Sequence, residues 1–139
     1  YFLGYLLGWG AAGKYFGALF CVIGHMFPVF YGFKGGKGIL CSGTLLLLLD
    51  WRIALVGWGA FVVLWLTTRY VSLGSICGAL IAPIGVLAAC GKLPALLSLF
   101  CVILLVVKHR SNIGRLIRHK ESKLSFKKDL SDKFDDEDF

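Results

Sequence analysis

Residues 73–107 read LGSICGALIAPIGVLAACGKLPALLSLFCVILLVV, an apolar text broken by one charge, Lys92. The two runs on either side of Lys92 approach the length of a bilayer pass, which needs about 20 predominantly apolar residues, range roughly 17–25. Working outward, further apolar runs fall at residues 1–9, 15–33, 39–49 and 53–66, so six helical passes are expected. The runs at 39–49, 53–66 and 93–107 are short unless they borrow flanking residues such as Gly36, Thr67 and Lys108. The expected fold is an all-α integral membrane protein, a polytopic helical bundle of about six transmembrane helices.

Composition supports the same class. The chain has 139 residues, 58% apolar and 17% charged, with a formal charge of +7 and a mean hydropathy of +0.77. Of the acids only Asp50 precedes Glu121, and the rest crowd into the last stretch of chain. Residues 1–107 therefore suit lipid as a membrane-embedded domain. Residues 108–123 suit a cytoplasmic amphipathic segment that completes a site, and residues 124–139 a charged, disordered tail. The basic residues flank apolar spans, where anionic headgroups are the nearest partner, so no nucleic acid is expected. Cys21, Cys41, Cys77, Cys90 and Cys101 are isolated in apolar segments without ligand spacing, which argues for small buried hydrophobes and against a disulfide framework or a metal site. The opening Tyr1-Phe2-Leu3-Gly4 carries no charged leader region. It reads as a helix entered partway along, and at least one upstream segment is expected to be missing.

Six passes place successive connections on alternate sides. Lys34, Lys37 and Arg69 share a side with the basic tail, Lys108, Arg110, Arg115, Arg118, Lys120, Lys123, Lys127, Lys128 and Lys133, whereas Lys14, Arg52 and Lys92 lie opposite. That asymmetry, dominated by the tail, puts the C-terminus in the cytoplasm of a multi-pass protein. Gly4 with Gly8, Gly13 with Gly17 and Gly74 with Gly78 stand at spacings that let helices approach closely. Trp51, Trp58 and Trp65 share one helix face, a lipid or helix contact.

Three polar clusters fall on the predicted cytoplasmic side. The densest, GHMFPVFYGFKGGKG at residues 24–38, sets three glycines among Lys34, Gly35, Gly36, Lys37 and Gly38 at the mouth of the next helix. Glycine backbone freedom, two lysines and a helix N-terminus together describe a phosphate cradle. It is not a Walker A loop, since Tyr31 and Gly38 occupy positions that need Gly and Ser or Thr. A plain Gly-Lys turn is equally consistent with composition. His25, titratable inside an apolar run, favours function in part, for proton transfer or for donation to a phosphate oxygen. The second cluster offers Arg69 as a forked donor, with Ser72 and Ser75 on one helical face, although hydroxyl N-caps opening a helix at Leu73 explain the serines equally well. In the third, Ile113, Leu116 and Ile117 follow helical spacing among basic residues, describing a short amphipathic helix on the bilayer. Snorkelling explains its charge but not Asn112 or Glu121. One anionic site built from three connections is more economical than three accidents, and it fits an enzyme or a transporter.

At these clusters the sequence resembles the bacterial acyl-phosphate-dependent glycerol-3-phosphate acyltransferases, the PlsY family, in GHMFPVFYGFKGGKG at 24–38, TRYVSLGSI at 68–76 and HRSNIGRLIRHKESK at 109–123. The resemblance implies a seven-helix membrane enzyme of the bacterial cell membrane. Its substrates are acyl phosphate and glycerol 3-phosphate, its product is lysophosphatidic acid, it needs no cofactor or metal, and its partners are membrane lipids and the soluble enzyme that makes acyl phosphate. Carried over, His25, Lys37 and Asn112 are catalytic. Lys34, Gly35, Gly36, Gly38, Arg69, Ser72, Ser75, Arg115 and Glu121 bind substrate. Acyl phosphate already contains a good leaving group, so holding and aligning two anions is the main task, and direct transfer without an acyl-enzyme is expected. The family's further loop after its first helix, rich in Gly, Ser, Asn and Thr and ending in Arg, has no counterpart here, and Ser111, Gly114 and His119-Lys120 depart from its commoner spelling. The alternatives are a transporter of an organic anion or organophosphate, and a noncatalytic membrane scaffold. The former usually shows repeats and midplane polar groups, which this sequence lacks.

Overall fold

The computed structural model describes residues 10–123. The run at 1–9, the Gly4–Gly8 pair and the tail at 124–139 lie outside the described residues. Six α-helices follow one another: α1 Gly10–Met26, α2 Ile39–Leu49, α3 Trp51–Thr68, α4 Val71–Cys90, α5 Lys92–Lys108 and α6 Arg110–Ile117, with a 3-10 turn at Val29–Tyr31 between α1 and α2. Among the described residues the fold is all-helical.

α1 continued through the 3-10 turn (Ala12–Tyr31), α3 and α4 are long and apolar enough to cross a membrane, and α5 with α6 forms a fourth candidate bent by 60°. α3 extends to 18 residues by taking in Trp51, Arg52, Thr67 and Thr68, and α5 takes in Lys92 and Lys108. α2 does not borrow Gly36. Gly38 at its N-cap holds φ 82, a left-handed conformation that cannot continue a helix. α2 therefore stops at 11 residues, about 16 Å, roughly half a bilayer core.

Asp50 separates α2 from α3. Its Oδ1 accepts from the amides of Arg52 at 3.0 Å and Ile53 at 3.4 Å, satisfying two of the free donors at the start of α3. α3 and α4 then pack backbone to backbone. A Cβ on Gly78 would meet the Gly57 carbonyl at 2.6 Å, one on Gly57 would meet that of Gly78 at 3.0 Å, and one on Gly74 would meet that of Phe61 at 2.8 Å. The expected role of Gly74 and Gly78 in close approach is met by this geometry. The tryptophan stripe divides: Trp51 is exposed, Trp58 packs its ring on Gly43 of α2, and Trp65 stacks on Phe61 with centroids 6.2 Å apart.

Two apolar knots hold the bundle. Tyr15, Ile53, Val86 and Ala95 form one at the end away from the glycine loop. Val22, Met26 and Leu105 form the other, nearer that loop. Between them the helices leave a cavity of about 620 Å³.

Candidate active site

Each polar cluster is delivered by a local device. The glycine loop folds back over the C-terminal end of α1. A Cβ on Gly35 would collide with the backbone carbonyls of His25 and Met26, and one on Gly36 would lie 2.6 Å from Nε2 of His25. Gly38 presses against the methyl end of buried Met26. The glycines thus allow the loop to reach the α1 end, and the first amides of α2 carry no side-chain cap there. Lys108 completes this corner. Its Nζ donates to the Met26 carbonyl at 2.7 Å and sits 4.1 Å from the Phe27 ring centroid. Carbonyls at a helix end have no intrahelical donor, and Pro28 supplies none.

The second cluster enters α4 itself. α4 starts at Val71 with Tyr70 as N-cap, so Ser72 and Ser75 are buried helical residues and the hydroxyl-cap alternative does not hold. Arg69 is exposed in a left-handed conformation, φ 62, at the end of α3, where its amide bonds the Trp65 carbonyl at 2.7 Å. Arg69, Lys34, Gly35 and Gly36 do not line the cavity.

The third cluster closes on the second. α6 turns away from α5 at His109 and buries Asn112. Its C-terminus is a Schellman turn: the Lys120 amide bonds the Arg115 carbonyl at 2.8 Å and that of His119 bonds Leu116 at 3.0 Å, with His119 at φ 53. This reversal carries Glu121 back onto its own helix. Ser72 Oγ donates to Glu121 Oε1 at 2.6 Å. Asn112 Nδ2 donates to Ser72 Oγ at 2.8 Å and to Glu121 Oε1 at 2.7 Å. Arg115 Nε donates to Oε2 at 2.6 Å. A carboxylate only accepts, so the Asn112 amide must face it with nitrogen, leaving buried Oδ1 without a partner among the described residues. Burial by itself raises the Glu121 pKa, but the hydrogen bonds from Ser72, Asn112 and Arg115 and the Arg115 charge outweigh it and hold the carboxyl down at about 2.

His25, Lys37, Gly38, Ser72, Ser75 and His109 line one end of the cavity. Asn112, Arg115 and Glu121 reach it through Ser72. The expected residues thus divide into a lining set, a network behind it, and a set that the cavity does not include. His109 was not among them. It is 2% exposed, and its Nδ1 lies 2.9 Å from the Leu105 carbonyl, which can only accept, so Nδ1 carries a proton. The available signal was its place just after an apolar run, where an ionisable group is costly. Lys108 had no signal beyond topology. Among the described residues no three His, Cys, Asp or Glu side chains converge as metal ligands.

Below this polar end the lining is mainly apolar, with Val22, Leu46, Gly57 and Ala82 among its walls and Ser42 and Ser98 as polar exceptions. A head for anions on a body for hydrocarbon is the arrangement to be matched. A family model described as glycerol-3-phosphate acyltransferase matches residues 1–119. The chain belongs to the glycerol-3-phosphate acyltransferase family. Glycerol-3-phosphate acyltransferases of Brucella ovis and Finegoldia magna are 42% and 44% identical to it over 117 and 118 residues, matches that cover 84% of this chain and 56% and 60% of those relatives. The chain thus spans little more than half the length of the curated relatives it matches. The crystal structure of PlsY (YgiH), an integral membrane glycerol 3-phosphate acyltransferase, in its glycerol 3-phosphate form superposes with a TM-score of 0.73 at 32% identity, covering 78% of this chain and 55% of that one. The lysophosphatidic acid form gives a TM-score of 0.71 at 27% identity, covering 83% and 68%. This family and the apolar helices make the chain a multi-pass membrane protein.

Proposed function

We propose that this chain carries an acyl-transfer site that moves a fatty acyl group from acyl phosphate to glycerol 3-phosphate, yielding lysophosphatidic acid and inorganic phosphate for phospholipid synthesis. The observation that carries the reading is one cavity with basic and hydroxyl groups at one end and mainly hydrocarbon walls behind them. It fits a donor with a charged head and a long tail, and the relatives' names match it.

Chemically, a glycerol hydroxyl oxygen attacks the acyl carbonyl carbon, the carbon–oxygen bond to phosphate breaks, and the hydroxyl proton goes to His25 or to a phosphate oxygen. Lys37, the amides from Gly35 to Gly38 and the start of α2 receive phosphate charge, helped by Lys34 and Arg69 as the anion approaches. Ser75 offers a hydroxyl at the acyl-phosphate head, whereas Ser72, whose one proton goes to Glu121, leaves only a lone pair there. Asn112 Oδ1 accepts from glycerol 3-phosphate, whose phosphate reaches Arg115. Both Glu121 oxygens are taken by protein donors, so Glu121 serves the substrate by orienting Ser72, Asn112 and Arg115. The polar end faces the cytoplasm of the bacterial cell membrane, where the soluble acyl-phosphate-producing enzyme delivers the donor. The polar groups gather at one end of the bundle, not at mid-depth as a carrier's would.

Membranes expressing the protein, given acyl phosphate and labelled glycerol 3-phosphate, are expected to form lysophosphatidic acid. Lys37→Ala is expected to lower kcat by about 100-fold or more, the scale of losing one preorganised donor. Full retention of transfer by Lys37→Ala would overturn the reading.

A further inference from the structure

Lys108 differs from the other cations at the polar end. Arg110, Arg118 and Lys120 are exposed and suit headgroups or water, whereas Lys108 is half-buried and turns inward. Its Nζ donates to the Met26 carbonyl at 2.7 Å, 82 positions away in the chain, and lies 4.1 Å from the Phe27 ring centroid. It does not line the cavity. The bond nevertheless ties together two positions that each adjoin a cavity histidine, Met26 beside His25 and Lys108 beside His109. The glycine loop bears on the same corner: Gly35 against the carbonyls of His25 and Met26, Gly36 against the His25 ring and Gly38 against the Met26 side chain. The ammonium stands at the C-terminal end of α1, where the helix dipole favours positive charge. Val22, Met26 and Leu105 add apolar contact between α1 and α5 here. Among lipid tails such contact has no hydrophobic drive behind it and sets no single register. A charge-assisted hydrogen bond to one carbonyl does.

We infer that Lys108 is a positioning residue for acyl transfer: by clasping the Met26 carbonyl it fixes the end of α1 against the end of α5 and holds His25, His109 and the seat of the glycine loop in one arrangement. This rests on the acyltransferase reading and adds to that site a residue from outside the cavity. Without the ammonium, the Met26 carbonyl has no donor and the corner must relax to find one. His25 and the stretch from Gly35 to Gly38 move with it. Reacting groups misplaced by about 1 Å lose on the order of 100-fold in rate. An ammonium that gripped a substrate phosphate directly would behave differently: its loss would raise KM, and saturating substrate would restore the rate.

The test uses membranes expressing the protein, with acyl phosphate and labelled glycerol 3-phosphate each raised to saturation and protein amounts equalised by immunoblot. Lys108→Met keeps an unbranched stem to pack on Phe27 but has neither donor nor charge. Its kcat is expected to fall about 100-fold. Lys108→Arg, which keeps a cationic donor, recovers about tenfold or more of that loss. Phe27→Leu removes the ring beside the ammonium and lowers kcat about fivefold. Added to Lys108→Met it costs no more than about a further twofold, because the two side chains act as one unit. The inference is overturned, with the acyltransferase reading intact, by any of four results: a kcat for Lys108→Met within about twofold of the unaltered protein, a loss confined to KM, Lys108→Arg as slow as Lys108→Met, or losses that multiply in the double variant. If Lys108→Met fails to accumulate, Phe27→Leu decides, and a kcat unchanged by it overturns the inference. Absence of lysophosphatidic acid from the unaltered protein removes that reading and this inference together.

Discussion

Glu121 is the residue on which the polar network turns, since its carboxylate takes donors from α4 and α6 at once. A folded-state pKa of about 2 against an ordinary 4.5 means that the unfolded chain binds more protons between those values, so stability rises with pH across that window. The contribution is fully present above about 4.5 and is lost as pH falls through about 2. Thermal unfolding of the protein and of Glu121→Gln in detergent, followed across pH, is therefore expected to show a constant gap near neutrality that narrows below about pH 4.5. A gap independent of pH down to 3 would contradict it. From sequence, Glu121 was legible as an unexplained acid in a basic segment. Its partners were not, because Ser72 lies 49 positions away and no local pattern encodes that pairing.

At the scale of elements, the reversal after α6 is what delivers Glu121, and it runs through a non-glycine residue in the left-handed region, His119 at φ 53. An L side chain there costs roughly 1–2 kcal/mol, and glycine avoids it. His119→Gly is expected to stabilise the protein by about 1 kcal/mol, raising its melting temperature by roughly 2–4 °C with transfer activity retained. An unchanged or lower melting temperature would show that the His119 side chain compensates for its backbone. Element ends were the least legible feature of the sequence. Thr67 and Lys108 join their helices, whereas Gly36 stays out of α2, because a φ of 82 at Gly38 is a tertiary choice that lets the loop seat on Met26.

For the whole molecule, the three polar connections come together although α2 is short. The glycine loop, the start of α4 and the bend at His109 meet at one end of the cavity, while the far knot gathers Tyr15, Ile53, Val86 and Ala95. The basic residues weighted toward the polar end predict that this end is cytoplasmic. Alkaline phosphatase fused to the C-terminus is expected to be inactive in intact cells and a fluorescent protein fused there to fluoresce. The reverse pattern would place the anion site on the outer face and cut it off from a cytoplasmic donor.

Apolar run length, the position of single charges and the three polar clusters were enough, read along the chain, to determine the class, the family likeness and the set of candidate residues, because lipid imposes its requirements locally on every segment that enters it. Only the packed bundle decided which candidates line the cavity and which act through Ser72. Those assignments depend on helices distant in sequence approaching through Gly57, Gly74 and Gly78. A contact of that kind is settled by the fit of surfaces that no single segment contains.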